Sequence, residues 1–310
     1  MNIDEFNRMT RIRQTAAEVL PDLVRERLSD LEPENVFSRE TIRNNGQQLL
    51  GISVVPKDSD ISPCIYVEPY IPPDPSILEQ EGIWDRIADH ISEDFRYALD
   101  VVEPEPEELF RPEDMEEHLV LKLVNYQWNE EFLKGYPHKK YQDLAALLEW
   151  EVVCGKRQGT IHISKDILQR WGKTFDEMYE VALSNTMRKY PGRIAPLSDI
   201  LEECTGGSLE NVDSPFYYIG TERSIQGCVA MLYPGLLQKV YQQMGEPFYL
   251  IPSSIHELLA LPVSFDPDHE KLQELIWEVN TYVVERTEVL SNVLYVYRPE
   301  IDDLEIIANN

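Results

Sequence analysis

The sequence predicts an α+β fold in which mainly antiparallel sheets, built from hairpins, are flanked by helices. Segments with β-strand character are joined by short turns about as often as they are separated by helices, which favours antiparallel over doubly wound parallel sheets. The helical segments carry apolar residues on one face. Of the 310 residues, 43% are hydrophobic, so the chain has enough apolar material for a packed interior.

The N-terminal part begins with an amphipathic helix and continues as a β-meander. Apolar residues recur at spacings of three to five through the first thirty residues, and Pro21 is expected to kink or break this helix. Strands are predicted at residues 36–43 and 49–55, because Asn44–Gly46 between them tolerates the positive φ of a hairpin turn. A third strand within residues 61–70 is confined to a sheet edge or a short run by its two prolines.

An acidic helix beginning at Ile83 follows, and then a segment rich in Glu and Pro. Residues 79–117 include fifteen acidic and three basic residues. The Glu-Pro-Glu-Pro stretch resists both helix and sheet, because proline lacks a backbone donor and like charges repel. We therefore predict a linker over residues 103–114 between domains of residues 1–102 and 115–310, with one continuous unit as the alternative.

The C-terminal part alternates hairpins and helices. Strands are predicted at residues 118–125, 144–154 and 160–164, the last two as a hairpin. Thr174 and Glu177 form a T-x-x-E capping box that opens a helix. The remaining predicted elements are a helix from Ser198, a strand at 216–220, a helix at 234–244 ended by Gly245, a strand at 248–251, a helix from Asp268 and a strand at 293–298.

The composition excludes several functional classes. The chain has 28 Lys+Arg against 56 Asp+Glu, a formal net charge of −28, so nucleic-acid phosphates and anionic membranes repel it and direct non-specific binding to them is not expected. No export signal is expected at the acidic N-terminus, and no apolar run reaches the ~20 residues of a membrane span. The four cysteines form no C-x-x-C pair, which is typical of reduced thiols. These features predict a cytoplasmic protein.

The sequence motifs of metal and cofactor sites are missing. No two of the six histidines are three or four residues apart, and no carboxylate series matches a calcium loop. There is no phosphate loop, G-x-G-x-x-G or G-x-S-x-G motif. We therefore expect neither a metal ion nor a cofactor.

Five short segments spread along the chain form a recognisable pattern. They are Asn44-Asn45-Gly46, Ile61-Ser62-Pro63 with Ile65-Tyr66, Pro137-His138-Lys139, Asp143-Leu144-Ala145 and Pro252-Ser253-Ser254-Ile255-His256-Glu257. In this order they resemble an uncharacterised bacterial family, the domain of unknown function numbered 5688, over about residues 36–298. A fainter likeness, through Asp143-Leu144-Ala145 and the helix from Thr174 past Asn185, points to the uncharacterised family numbered 1444. The resemblance implies one evolved unit in a bacterial cytoplasm, compatible with a gene on a mobile element, and brings no activity with it.

The segment Ser253-Ser254-Ile255-His256-Glu257 is the first candidate for catalysis. A serine hydrolase needs a base within hydrogen-bond reach of the hydroxyl and an acid that orients the base. In the alternative interpretation, Ser254 caps a short helix and Glu257 returns the bond to its backbone. We favour the cap, because adjacent residues rarely reach catalytic geometry and short motifs match by chance. A zinc-protease helix is excluded, since the second histidine after His256 is missing.

The second candidate is a local reversal of charge. Lys134, His138, Lys139 and Lys140, interleaved with two tyrosines, could receive an anion or stack a base. In the alternative interpretation, Lys134 ends a helix and complements its dipole, while Lys139 and Lys140 are simply solvated. We favour this alternative, because charge clusters are more often solvated faces than sites.

The charge favours binding over catalysis as the function. We expect a non-catalytic acidic interaction protein, an adaptor or an inhibitor of a basic protein partner, including one that handles nucleic acid. The residues expected to bind are Asp85, Asp89, Glu93, Asp94, Glu103, Glu105, Glu107 and Glu108. Solubility alone is the alternative explanation of the acidity. The second hypothesis is a small hydrolase or anion-binding enzyme in which folding brings His138 and Asp143 close to His256 and Glu257.

Overall fold

A computed structural model describes residues 3–57, 62–101, 112–154, 157–205 and 214–307 of the chain. Two units are distinguished: the first comprises Met1–Arg43, Gln47–Arg111 and Val153–Gly159, and the second comprises Asn44–Gly46, Pro112–Val152 and Thr160–Asn310. Most of the predicted linker lies outside the described residues, and Pro112–Asp114 form a short 3-10 helix. The linker and the domain limits drawn from it stay predictions.

The first unit combines two long helices with a three-stranded antiparallel sheet. The helices are α1 (Ile3–Arg27) and α2 (Ile83–Val101), and the strands are β1 (Asn35–Ile42), β2 (Gln48–Val55) and β3 (Cys64–Tyr66). The strands pair in the order β1-β2-β3, with Val36 opposite Val54 in the hairpin. The predicted meander is therefore confirmed, including the short third strand at its edge.

Both helices of the first unit bury the apolar stripe that their spacing predicts. Leu20 and Val24 of α1 lie four residues apart and share one core with Ile87 and Ile91 of α2. Pro21 does not break α1, since the helix continues through it to Arg27. Burial of the neighbouring side chains offsets the hydrogen bond that proline cannot donate.

The rest of the chain supplies the other described elements. The helices are α3 (Met115–His118), α4 (Glu130–Leu133), α5 (Lys165–Trp171), α6 (Phe175–Lys189), α7 (Leu197–Thr205), α8 (Leu236–Met244) and α9 (His269–Tyr282). The strands are β4 (Leu119–Asn125), β5 (His138–Tyr141), β6 (Leu144–Cys154), β7 (Arg157–His162), β8 (Gly192–Pro196), β9 (Tyr217–Thr221), β10 (Phe248–Ile251), β11 (Leu258–Pro262), β12 (Tyr295–Arg298) and β13 (Asp303–Ile306).

Two sheets organise these strands. One has six strands in the order β13-β12-β10-β11-β9-β8, and the other has the order β4-β6-β5 with β7 paired to β6. Helix α6 packs beside β4, where the N–H of Leu121 donates to Thr186 Oγ1 at 2.9 Å. The predicted α+β class with mainly antiparallel sheets is confirmed.

Local signals at helix ends were reliable guides to the elements of the second unit. The Thr174 hydroxyl accepts the N–H of Glu177 at 3.3 Å, and the Glu177 carboxylate accepts the N–H of Thr174 at 2.8 Å, which confirms the predicted capping box. Gly245 ends α8 in the left-handed conformation, also as predicted. Four strands, β5, β8, β11 and β13, were not predicted, because each has only four or five residues and depends on pairing with a neighbouring strand.

Candidate functional site

The predicted contact surface on α2 has counter-ions within the first unit. Arg27 Nη2 lies 3.1 Å from Asp85 Oδ1, and Arg27 Nε donates to Asp89. Arg96 makes a similar pair with Asp30, with bonds of 2.8 and 2.6 Å, and the hydrogen bond from Arg96 lowers the pKa of Asp30. Much of the negative charge on this face is therefore already paired.

The other predicted binding residues are only partly described. The Tyr70 hydroxyl donates to Asp94, whereas Glu93 is exposed. The predicted binding residues that lie outside the described residues are Glu103, Glu105, Glu107 and Glu108. On the described part of α2, Glu93 is thus the predicted residue most open to a partner.

A different set of carboxylates lines a groove in the second unit, which we call the acidic groove. Its volume is about 780 Å³. Its lining residues are Glu113, Asp114, Glu117, Glu180, Val181, Ser184, Asn185 and Arg188. The buried Asn185 donates through Nδ2 to the carbonyl oxygens of Met115 and Leu119, both at 2.9 Å, and so fastens α6 to α3. The groove is therefore built on two helices that a buried amide holds together.

The carboxylates of the acidic groove differ from those of α2 in their surroundings. The ion pairs in the described part of the second unit use other acidic residues, namely Glu131, Glu149, Glu151, Glu203, Asp268, Glu288 and Glu305. The four groove carboxylates form no ion pair with any residue that the structure describes. Sequence reasoning missed this site, because Glu180 approaches the other three only through the packing of α6.

The segment from Ser253 to Glu257 is a bend that leads into β11. The hydroxyls of Ser253 and Ser254 donate to Glu257 Oε1 at 3.1 and 3.0 Å, and Ser254 Oγ accepts the N–H of His256 at 3.0 Å. Residues 252–257, all of which the structure describes, form no helix. The predicted helix cap is therefore wrong, because the pairing of β11 with β9 and β10 requires an extended chain directly after Glu257.

The imidazole of His256 has partners other than the serine hydroxyls. Its Nδ1 accepts the N–H of Gln226 at 3.3 Å, and its Nε2 lies 3.5 Å from Glu288 Oε1. A Cβ atom on Gly227 would lie 2.1 Å from the carbonyl oxygen of His256, so this close approach requires glycine. Because both hydroxyls donate to Glu257 instead, the segment forms a polar turn rather than a serine–histidine pair.

A buried ion-pair cluster around Glu149 was not predicted. Glu149 lies on β6 with a fully buried side chain; Lys122 Nζ donates to its Oε1 at 2.9 Å, and His162 Nδ1 lies 3.0 Å from the same oxygen. Gln226 Nε2 donates to Oε2 at 3.4 Å. Burial by itself would raise the pKa of Glu149, but the interactions with His162 and Lys122 outweigh it and lower the pKa to about 2. The sequence signal is Glu149 within the mainly apolar strand β6, where Glu151 is the other acidic residue.

The described residues show neither a metal-binding cluster nor a membrane-spanning helix. There, no three His, Cys, Asp or Glu side chains are grouped so that they could hold a metal ion. Among the same residues, no helix combines the length and the apolar character that crossing a membrane requires.

Comparison with protein families identifies the group to which this sequence is related. A family model matches residues 15–299. The chain belongs to DUF5688. This is a family of unknown function, so the match confirms the predicted family and supplies no activity. No curated protein and no solved structure matches the chain, and the likeness to the family numbered 1444 stays a prediction.

In this DUF5688 chain, the segment Asn44–Gly46 is a turn whose side chains bond to a distant loop of the second unit. Asn45 is 4% exposed and has a φ of 59°. Its Nδ2 donates to the carbonyl oxygens of Arg286 and Val289, both at 2.7 Å, and its N–H donates to Asn129 Oδ1 at 2.8 Å. The first segment of the family resemblance therefore has a structural role.

Asp143, from another of these segments, is an acceptor in a polar network. It receives bonds from Asn125 Nδ2 at 3.2 Å, from Ser291 Oγ at 2.6 Å and from the Tyr295 hydroxyl. Burial, together with the Asp143 carboxylate, raises the pKa of Tyr295. Donors from β4 and from residues 291–295 thus fix Asp143 in place.

The contacts of His138 and His256 do not support the predicted site shared by these two histidines. His138 Nδ1 lies 2.9 Å from the carbonyl oxygen of Tyr136, and its ring packs 5.8 Å from that of Tyr126. The described partners of His256 are instead Gln226 and Glu288, as given above. The described partners of the two histidines do not overlap.

The predicted anion-binding residues are divided between a helix end and a strand. Lys134 follows the last residue of α4 and pairs with Glu131, so the predicted helix end is confirmed. Lys139 and Lys140 lie on β5, with Nζ atoms 4.3 Å from the ring centres of Tyr179 and Tyr126 respectively. These two lysines are exposed but are not simply solvated, because each ammonium group lies over an aromatic face.

Proposed function

We propose that this DUF5688 chain is a non-catalytic, cytoplasmic acidic protein that binds a basic protein partner as an adaptor or inhibitor. The observation that carries the proposal is the acidic groove, where four carboxylates without described counter-ions surround one cleft. The net charge of −28 adds a long-range field that attracts a basic surface. A segment of the partner rich in Lys and Arg is the ligand that complements these charges.

The state of the carboxylates explains why the groove is favoured over α2. A partner ammonium group that approached Asp85 or Asp89 would compete with Arg27, which already contacts both. At the groove, the same group would relieve repulsion among the carboxylates. Binding energy from a basic partner is therefore expected mainly at the groove.

The hydroxyl and imidazole contacts support a non-catalytic role. A serine nucleophile needs a base that takes its proton, whereas Ser253 and Ser254 both donate to Glu257, and His256 contacts Gln226 and Glu288. The small-hydrolase alternative has no comparable arrangement behind it. An inhibitor of a nucleic-acid-handling protein fits the proposal, because the groove would compete with phosphate for the partner's Lys and Arg.

The test uses fluorescence anisotropy with a labelled peptide rich in Lys and Arg, and a second peptide with Gln at the basic positions. The groove variant combines Glu113→Gln, Asp114→Asn, Glu117→Gln and Glu180→Gln. The control variant combines Glu222→Gln, Glu270→Gln, Glu274→Gln and Glu278→Gln, which removes the same number of exposed carboxylates elsewhere on the second unit.

We expect the groove variant to lose affinity for the basic peptide by about tenfold or more, equivalent to about 1.4 kcal/mol, while the control changes by less than about twofold. The difference should shrink at high salt. Equal losses in the two variants would show that only net charge matters and would overturn the groove as the site. Binding that is the same at low and high salt would overturn the electrostatic basis itself.

A further inference from the structure

A second cleft, separate from the acidic groove, lies beside β5 in the second unit. Its volume is about 340 Å³, which is within the range of small-molecule sites. β5 forms one wall, and the chain around the start of α8 forms another. Asp302 and Asp303 complete the lining with Tyr179 of α6. The cleft thus collects charged and aromatic groups from four separate parts of the chain.

Lys139 supplies the positive charge of this cleft. Side chains alternate along a strand, so Lys139 and Tyr141 share one side of β5 and Lys140 lies on the other. Lys139 accordingly extends over the ring of Tyr179, which lines the cleft. Lys140 also borders the cleft, but its ammonium group lies over Tyr126, which packs with a different cluster. Neither lysine forms an ion pair with a described residue. Lys139 therefore presents an ammonium group that has no counter-ion among the residues of the described ranges.

Asp302 and Asp303 supply negative charge to the same cleft. Their hydrogen-bond donors are neutral: the Tyr297 hydroxyl donates to Asp302 at 2.6 Å, and the Tyr141 hydroxyl donates to Asp303 at 2.7 Å. Burial, and then the bond to Asp303, raises the pKa of Tyr141, so this phenol stays protonated. No described cation pairs with either carboxylate. A ligand that carried only negative charge would be repelled by them.

The wall at α8 contributes the start of a helix, which attracts an anionic group, and an apolar surface beside it. Gly235 occupies the position before α8 and has no side chain that could bond the first-turn N–H groups. The positive end of the helix dipole at this point favours an anion. Next to it, Met231, Pro234 and Leu237 provide apolar contacts. The cleft therefore offers one cationic region, one anionic region and an apolar wall.

We propose that this cleft binds a small zwitterion, namely a free amino acid with an apolar or aromatic side chain. Its carboxylate would meet Lys139 and the start of α8. Its ammonium group would meet Asp302 and Asp303, and its side chain would lie against Met231 and the neighbouring apolar residues. The proposal differs from the expected binding of a simple anion at Lys139 and Lys140, because two carboxylates line the same cleft as these lysines.

Isothermal titration calorimetry of the full chain with four probes tests which charged groups of a ligand the cleft requires. The probes are phenylalanine, phenylalaninamide, N-acetylphenylalanine and inorganic phosphate. We expect phenylalanine to bind at least tenfold more tightly than the amide, which lacks the carboxylate, and than the acetyl derivative, which lacks the ammonium group. Equal binding of the three, tighter binding of phosphate, or no binding of phenylalanine would overturn the proposal.

Two pairs of variants assign the charges to residues. Lys139→Gln should lower the affinity for phenylalanine at least tenfold and leave the affinity for phenylalaninamide unchanged. Lys140→Gln, whose side chain lies on the opposite side of β5, should bind both probes as the unmodified chain does. Asp302→Asn should lower the affinity for phenylalanine and leave the affinity for N-acetylphenylalanine unchanged. Asparagine tolerates the φ of 50° that Asp302 has, so the substitution should not strain the backbone. Identical effects of the two lysine substitutions would overturn the assignment. This outcome is independent of peptide binding at the acidic groove.

Discussion

The carboxylates of α2 and those of the acidic groove differ in their partners more than in their number. On α2, Arg27 contacts both Asp85 and Asp89. In the groove, Glu117 and Glu180 form no ion pair with a described residue. Most of these residues belong to one acidic stretch of sequence, so charge density along the chain does not show which negative surface is open to a partner.

What separates the two regions is a basic residue supplied by a distant segment. Arg27 is 58 positions from Asp85 in the sequence, and α1 carries it to the exposed side of α2. The same acidic composition therefore serves cohesion within the first unit, whereas the groove carboxylates of the second unit form no ion pair with a described residue. Changes that remove a cation or a carboxylate should affect the two kinds of region in opposite ways.

The largest effect on the free energy of unfolding is expected at Glu149, whose carboxylate is buried and ion-paired. Lys122→Met removes a cation from this cluster and leaves the carboxylate in the interior, so the free energy of unfolding should fall by about 3–5 kcal/mol. Urea denaturation followed by circular dichroism measures this loss. Combining it with Glu149→Met leaves no unpaired charge and should restore much of the stability; a double variant no more stable than Lys122→Met would contradict this explanation.

The same cluster predicts a pH dependence. The pKa of Glu149 is lowered from 4.5 to about 2, so the folded state favours the anion more strongly than the unfolded state does. This stabilisation is fully present above about pH 4.5 and is lost as the pH falls towards 2, amounting to about 3 kcal/mol. In denaturation series across that window, Glu149→Gln should lose stability less steeply than the unmodified chain. Parallel curves would exclude Glu149 as the cause.

The fold could be predicted from the sequence where the signal is local. The capping box of Thr174 and Glu177 occupies one helical turn, and the buried stripes of α1 and α2 repeat within each helix. Strands such as β5 and β13 have little pattern of their own. They exist because β6 and β12 lie alongside them, which depends on contacts between separate segments.

The site was less predictable for the same reason. The segment from Ser253 to Glu257 has the residue types of a catalytic site, but the hydroxyls of its two serines bond only within the segment. His256 turns instead to Gln226, thirty positions away. The groove needs Glu180 beside residues that precede β4. Sequence spacing carries no information about either approach.

A smaller effect on the free energy of unfolding is expected from removing the Arg27 counter-ion of the α2 carboxylates. Arg27→Gln would leave Asp85 and Asp89 without their shared counter-ion, so unfolding free energy should fall by about 1–2 kcal/mol, the scale of exposed ion pairs acting together. The basic peptide should then gain affinity, because the face would resemble the acidic groove. Lys57→Gln, which removes the exposed pair with Glu32 in the same unit, is the control and should change both quantities less. Equal changes would mean that the position of the cation is unimportant.

The smallest effect distinguishes the two regions by its sign. Glu113→Gln with Glu117→Gln removes two carboxylates four positions apart, and relief of their repulsion should raise the unfolding free energy by up to about 0.5 kcal/mol. Asp85→Asn with Asp89→Asn removes the same charge but breaks both ion pairs of Arg27, so it should lower the unfolding free energy. Salt screens repulsion and attraction alike between exposed groups, so the two differences should converge towards zero at high ionic strength. Denaturation midpoints at low and high salt measure this, and a loss of stability in both double variants at low salt would show that the groove carboxylates are paired after all.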